Sequence, residues 1–260
     1  MNKQLPIVLA LAGAVAVGAC SRKSDDHPVA SDTPSGASQA PPAAQANERD
    51  QALVRVVNAV PGTPAVDVTA DKAPVASELP YASVTPYKPV PASADDFAVK
   101  VAGKADGPML AENSESIMSG KHYTLIAFPG KADERTGKAE EKVDLQVVTD
   151  DIVTPEAGKA RVRVVHAAAD VDTVNVYAKG GKDSIFDGVD FREATGYKDV
   201  DPSITSLELK AADGKVVATP AVSVEAGKSY TIVVAGRAHG SPALQALIIE
   251  DRVVGETATN

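Results

Sequence analysis

His166, Asp170 and Asp172 stand close together at the end of one apolar run and in the loop after it, and an imidazole with two carboxylates is a donor set that a divalent cation can use. One histidine cannot close a zinc site, however, and aspartates in loops commonly serve the backbone of turns. A second cluster, Asp25-Asp26-His27, sits in a polar stretch with nothing to orient it. No metal and no cofactor are therefore assigned, and His166, Asp170 and Asp172 are the residues to watch should a cation bind. Nucleophilic chemistry has less to work with. There is no G-x-S-x-G elbow, the chain has a single cysteine, and His122, His166 and His239 occupy unrelated positions. Acidic residues are plentiful, yet none forms a pair marked by its setting for glycoside cleavage. Lys179-Gly180-Gly181-Lys182 reads as a hairpin turn and lacks the phosphate-loop pattern. No catalytic residue is assigned, and the chain is read as a non-enzyme.

The elements that would carry these residues are written twice. The stretch from Ala52 to Ala70, ALVRVVNAVPGTPAVDVTA, returns without a gap as Ala160 to Ala178, ARVRVVHAAADVDTVNVYA. Each copy opens on a β-branched strand, Val54 to Asn58 or Val162 to His166, with an arginine at its second position. That alternation expects one buried face and one wet one, with Val54 and Val56 inward and Arg55 outward. Ala65 to Val68 and Thr173 to Val176 alternate in the same way and read as second strands. Further on, Tyr81, Tyr87, Lys88 and Val90 align with Phe191, Tyr197, Lys198 and Val200, and Phe97 to Val101 aligns with Leu207 to Ala211. Tyr87 and Tyr197 are either packing residues or a shared contact surface. A Gly-Lys turn precedes Tyr123 in one copy and Tyr230 in the other, and each tyrosine leads into an apolar strand, the pattern of a hydroxyl that ties down a sandwich corner. The final strands are expected over Val143 to Thr149 and Ala243 to Glu250. His166, Asp170 and Asp172 are replaced in the first copy by Asn58, Gly62 and Pro64. The scaffold therefore forms without them, which is the argument for giving them a function.

Six or seven short strands per roughly 100 residues, punctuated by Gly, Pro and Asp, predict an all-β chain of two tandem immunoglobulin-like antiparallel β-sandwich domains. They are placed at residues 51–150 and 159–251, joined by a linker at 151–158 where Pro155 and Gly158 interrupt any strand, and followed by a tail at 252–260. The contact between the two is expected to be small. Arg163-Val164-Val165-His166-Ala167, then Asp170, Val174-Asn175-Val176-Tyr177 and Gly227-Lys228-Ser229-Tyr230-Thr231, resembles the bacterial domain-of-unknown-function 4397 family. The first copy departs from that wording at Asn58 and Thr69. The resemblance implies architecture and an exported or surface address, and it carries no functional residues across.

Residues 1–19 have a basic Lys3, an apolar run of about 13 residues from Leu5 to Val17, and small residues before Cys20. The order is that of an export signal, and the run is shorter than the roughly 17 to 25 residues that span a bilayer. Val17-Gly18-Ala19-Cys20 resembles the bacterial lipobox, which makes Cys20 the lipidated first residue of the mature chain. As the lone cysteine it has no intramolecular disulfide partner. Residues 20–50, rich in Ser, Ala, Pro and Gln, cannot build a core and read as a disordered tether with a stretched reach on the order of 100 Å. Ser21 and Arg22 leave no aspartate beside the cysteine, which favours the outer membrane. The formal net charge of −9 is spread out in small pairs such as Asp95-Asp96, Glu140-Glu141 and Asp150-Asp151, so solubility explains it and nucleic acid is no expected partner. These features together predict a lipid-anchored, non-catalytic cell-envelope protein that offers two modules to an envelope protein or the cell wall. The alternatives are a small-ligand or glycan binder and, behind it, an accessory domain of a periplasmic hydrolase. With no tryptophan, four phenylalanines and six tyrosines, the chain is poor in the flat aromatic platforms that sugar-binding modules commonly offer.

Overall fold

The computed structural model describes residues 50–103, 107–131 and 142–252. Lys3, Cys20, nearly all of the tether, the Glu140-Glu141 pair and most of the tail lie outside the described residues, and so does the lipidation assigned to Cys20. Every named element is a strand. The first half holds β1 (Gln51–Asn58), β2 (Val66–Ala70), β3 (Ala73–Leu79), β4 (Ser83–Val84), β5 (Lys88–Pro91), β6 (Phe97–Val101), β7 (Met109–Asn113), β8 (His122–Phe128) and β9 (Asp144–Thr149). The second holds β10 (Ala160–Ala167), β11 (Thr173–Ala178), β12 (Ser184–Asp190), β13 (Lys198–Val200), β14 (Leu207–Ala211), β15 (Val216–Ala218), β16 (Ser229–Ala235) and β17 (Gln245–Asp251).

Each half is a sandwich of two sheets. In the first, β4-β1-β8-β9, with β5 also on β1, faces β3-β2-β6-β7. In the second, β13-β10-β16-β17 faces β12-β11-β14-β15. Most pairings are antiparallel, but the duplicated opening strand runs parallel to its neighbour, β1 with β8 from Leu53↔His122 and β10 with β16 from Arg161↔Ser229. It thus lies inside its sheet with a partner on both sides, which fits its burial on both faces and its close repetition between the copies. Among the described residues no strand of one half pairs with a strand of the other.

The inward positions are the expected ones. Val54, Val56, Val66, Val68, Phe97, Val99 and Leu125 fill one dry core, and Val162, Val164, Val174, Val176, Leu209 and Ile232 fill the other. A recurring device bends the second sheet. Glu78 and Gly188, both at positive φ, interrupt the hairpin partners of β2 and β11, and the side chain opposite each accepts its N–H: Asp67 Oδ1 from Glu78 at 2.7 Å and Asn175 Oδ1 from Gly188 at 2.7 Å. The polar residue of the second strand is therefore a clamp for a β-bulge.

The outward positions differ from expectation. Arg55 and Arg163 are each only 2 % exposed. Alternation distinguishes two faces of a strand but says nothing of what covers the second. Here the second face of β1 and β8 packs on the second face of β10, β16 and β17. Val57, Ile126 and Phe128 join Val165, Val233, Ala235 and Ile249 in a third apolar cluster between the halves. The contact between copies is thus a core in its own right. The segment 151–159 is laid along the second half, where Ser229 Oγ donates to Val153 O at 3.2 Å and Glu156 N donates to Asp199 Oδ2 at 3.1 Å.

Candidate functional site

Four charges are buried where the halves meet. Arg55 leaves the middle of β1 toward the partner sheet. Its Nε donates to Thr124 Oγ1 of its own half at 2.9 Å, and its Nη2 donates to Asp251 Oδ1 of the other half at 2.5 Å. Arg163 repeats the pattern in the opposite direction, its Nε donating to Thr231 Oγ1 at 2.8 Å and its Nη2 to Asp150. The remaining nitrogens match as well. Arg163 Nη1 donates to Thr149 O at 3.0 Å and Arg55 Nη1 reaches Glu250 O at 3.5 Å, in each case the carbonyl just before the aspartate.

Both carboxylates are fully enclosed, each with about four lone-pair sites to fill. Thr124 and Tyr87 donate to Asp150 at 2.7 and 2.6 Å, and Thr231 and Tyr197 donate to Asp251 at 2.9 and 2.9 Å. The tyrosine rings lie against the arginines, with Arg55 4.7 Å from the Tyr87 centroid and Arg163 4.8 Å from that of Tyr197. Burial by itself would lower the pKa of Arg55, but Asp251 and Asp150 overcome it and hold the guanidinium above its ordinary value. Both phenols are pushed well up, first by burial; Asp150 adds to this at Tyr87, whereas at Tyr197 the Arg163 charge opposes it. The arginines and aspartates of the network are buried and each is hydrogen-bonded, and the half-buried tyrosines cover its edge. That is a structural use of Tyr87 and Tyr197, and it corrects the reading of Asp150 as one of a solvated pair. Sequence reasoning does not single out Arg55, Arg163, Thr124, Thr231, Asp150 and Asp251 as a group, although all six recur in kind between the copies.

The residues nominated for metal do not converge. His166 is wholly buried, its Nε2 donating to Val171 O at 2.8 Å while Nδ1 faces Ala168 N at 3.4 Å. Burial lowers its pKa to about 4. Asp170 accepts the N–H groups of Ala238 and His239 at 2.9 and 2.8 Å, fastening the β16–β17 loop. Asp172 points to solvent and pairs with Lys131 of the first half at 3.1 Å. Among the described residues no group of three or more His, Cys, Asp or Glu side chains is placed to hold a metal ion. Asn58 explains what the histidine does instead: its Nδ2 donates to Leu79 O at 3.0 Å and its Oδ1 accepts Val60 N at 3.0 Å. Both side chains donate to a carbonyl and accept from the N–H two residues on. The carbonyls differ, Leu79 O lying on β3 and Val171 O in the loop after β10, but both side chains spend their polar atoms on the backbone of their own module, so the change of residue type has a structural account.

The duplication has a counterpart among known families. The family model for a domain of unknown function, DUF4397, matches residues 52–177 and again residues 162–260. The chain belongs to the DUF4397 family. In this chain the arginine of the R-V-V wording is the residue that crosses to the other DUF4397 copy. Both copies also use their corner tyrosine alike, Tyr123 Oη accepting Met118 N at 2.9 Å and Tyr230 Oη accepting Glu225 N at 3.2 Å. The second copy adds a surface cavity of about 440 Å³, lined by Asp170, Asp172, Val171, Val216, Lys215 and His239 among others. No curated protein matches the chain. Among solved structures, the chain is similar to the family CBM26 module CBMbc from Eubacterium rectale Amy13K in complex with maltoheptaose. That likeness has 13 % identity and a TM-score of 0.24 over 78 % of this chain and 98 % of that one. At that score it supports no reading of this chain, and the maltoheptaose is that protein's ligand.

Proposed function

We propose that this protein is a non-catalytic lipoprotein of the cell envelope, anchored through Cys20, whose two DUF4397 modules act as one stiff body that meets an envelope protein or the cell wall. One observation carries the stiffness. Arg55 reaches Asp251 and Arg163 reaches Asp150, so separating the modules would strip four enclosed charges of their partners. A binding scaffold also fits the use of the candidate groups, since His166 and Asp170 spend their polar atoms on the backbone. The address rests on the lipobox-like Val17 to Cys20 and on the acidic, linker-like stretch after it. Membrane fractionation of the native cell with in situ crosslinking tests the whole reading. The protein should sediment with outer membrane, Cys20→Ser should release it, globomycin should leave the precursor uncleaved, and crosslinks should join it to an envelope partner. A chain that stays soluble with Cys20 intact refutes the anchor, and a chain with no crosslinked partner refutes the scaffold role.

A second reading, capture of a small ligand or glycan, has the cavity of the second module in its favour. A glycan array decides between the two. Selective sugar binding that is lost on filling the cavity with Ala212→Trp would put ligand capture first.

A further inference from the structure

The face that joins the two modules is made twice from the same parts. The first module presents Arg55, Thr124, Asp150 and Tyr87 around Val57 and Ile126; the second presents Arg163, Thr231, Asp251 and Tyr197 around Val165 and Val233. Each guanidinium bonds a threonine of its own module and an aspartate of the other, and each aspartate accepts a threonine and a tyrosine of its own module. Such a contact is isologous in kind: what one side offers, the other requires and offers in return. Nothing in its chemistry demands that both sides come from one polypeptide.

We propose that two copies of this chain exchange modules, the first module of each packing on the second module of the other through this same face. The exchanged dimer keeps every bond of the network and the whole apolar cluster, because each module still meets its usual counterpart. What must open is the connection. Residues 152–159 bind mainly to the second half, through Val153 and Glu156, so the pivot falls next to Asp150, where Ile152 N donates to Asp150 O at 3.0 Å. Released and stretched, residues 151–159 reach roughly 30 Å, enough to carry one module to a neighbouring chain. A short connection between two bodies that bury a complementary face is the usual setting for exchange between protomers.

Charge reversal separates exchange from ordinary folding. In the full-length chain, Arg55→Glu puts two acids together and Asp251→Arg puts two bases together, so either variant alone opposes its own internal pairing. Mixed in equal amounts, the two can restore both pairs only by exchange, the reversed first module of one on the reversed second module of the other and the native faces likewise. Native mass spectrometry should then find a species of twice the chain mass in the mixture and monomer in each variant alone. The chain carrying both Arg55→Glu and Asp251→Arg is the control for fit and should fold, with the same oligomeric state as the wild type. If that control folds and the mixture stays monomeric, the proposal is wrong. If the control does not fold, the wild-type chain decides: heavy- and light-isotope chains co-refolded from urea at high concentration give dimers of intermediate mass that do not form when the folded chains are merely mixed, and a purely monomeric product, or the same dimers on simple mixing, overturns the idea.

Discussion

Replacing His166 by the residue its own duplicate uses should make the protein less sensitive to mild acid. The ring is fully buried, and its pKa is lowered to about 4 from 6.5, first by burial, with Val171 O and the charges of Asp170, Asp190 and Asp172 pulling weakly the other way. A histidine whose folded pKa is depressed takes up its proton more readily in the unfolded chain, so stability falls as pH drops below about 6.5 and the loss is complete below about 4. Between pH 7 and pH 5 that single proton costs about 2 kcal/mol. In His166→Asn the side chain can still accept from Ala168 N, as Asn58 does from Val60 N, while the bond from the distal ring nitrogen to Val171 O is lost, a penalty that is the same at both pH values. The side chain no longer titrates. The edge contact with Phe191 at 6.1 Å is lost, but that penalty is the same at both pH values. Urea unfolding of both proteins at pH 7 and pH 5 isolates the proton as a difference of differences. The variant should lose about 2 kcal/mol less than wild type between the two conditions. Equal losses would mean that the buried imidazole takes up its proton as readily in the folded chain as in the unfolded one, which refutes its depressed pKa.

Asp150→Ala leaves Arg163 enclosed without its carboxylate and takes an acceptor from Thr124 and Tyr87, so urea unfolding should show a loss of roughly 3 to 5 kcal/mol. Lys215→Ala, at an exposed pair with Asp213, should by contrast stay within about 0.5 kcal/mol of wild type. Glu78→Gly relieves a left-handed backbone at φ 50, where the second copy already has Gly188, and should raise stability by up to about 1 kcal/mol in the same assay; a loss would mean that the carboxylate has a role the bulge geometry does not show. Tyr230→Phe removes the acceptor of Glu225 N and should cost about 1 kcal/mol with no change in fold by circular dichroism.

The inner half of each sandwich is legible in the sequence because burial there is local in its signature. Val54, Val56, Val66 and Val68 alternate, recur, and all sit at 0 % exposure. The corner tyrosines are legible for a related reason: Met118 and Glu225 lie five residues before them, so turn and hydroxyl belong to one short stretch. The outer half is not, because its partners are remote. Arg55 meets Asp251 across nearly the whole described chain, and a charge between valines reads as solvent-facing wherever the covering layer is another module. A signal is nevertheless present. A linker residue or a wet arginine has little reason to be repeated, yet Arg55, Thr124, Tyr87 and Asp150 all have counterparts of identical type in the second copy. Polar residues repeated with opposite charges in a duplicated chain are the mark of copies that bind each other. His166 misleads for the converse reason, since a change of residue type at one position imitates a change of role.

Why charges should stand at the centre of such a contact is explained by the freedom that apolar packing leaves open. Val57, Ile126 and Phe128 against Val165, Val233 and Ile249 supply the drive to associate, but apolar packing between two β-sheets is non-directional and by itself does not single out one rotation or register. A buried ion pair adds little net stability over a hydrophobic replacement of the same size, while any mispairing leaves an enclosed charge unmet. Two pairs running in opposite directions are more restrictive still, because a slip that keeps Arg55 on Asp251 must also keep Arg163 on Asp150. Tyr87 and Tyr197 narrow it further by occupying the remaining carboxylate oxygens from within each module. The apolar cluster thus sets how strongly the modules hold, and the reciprocal network sets the single orientation in which they do. That division accounts for conspicuous drift of the loops between copies alongside a network that has kept every member.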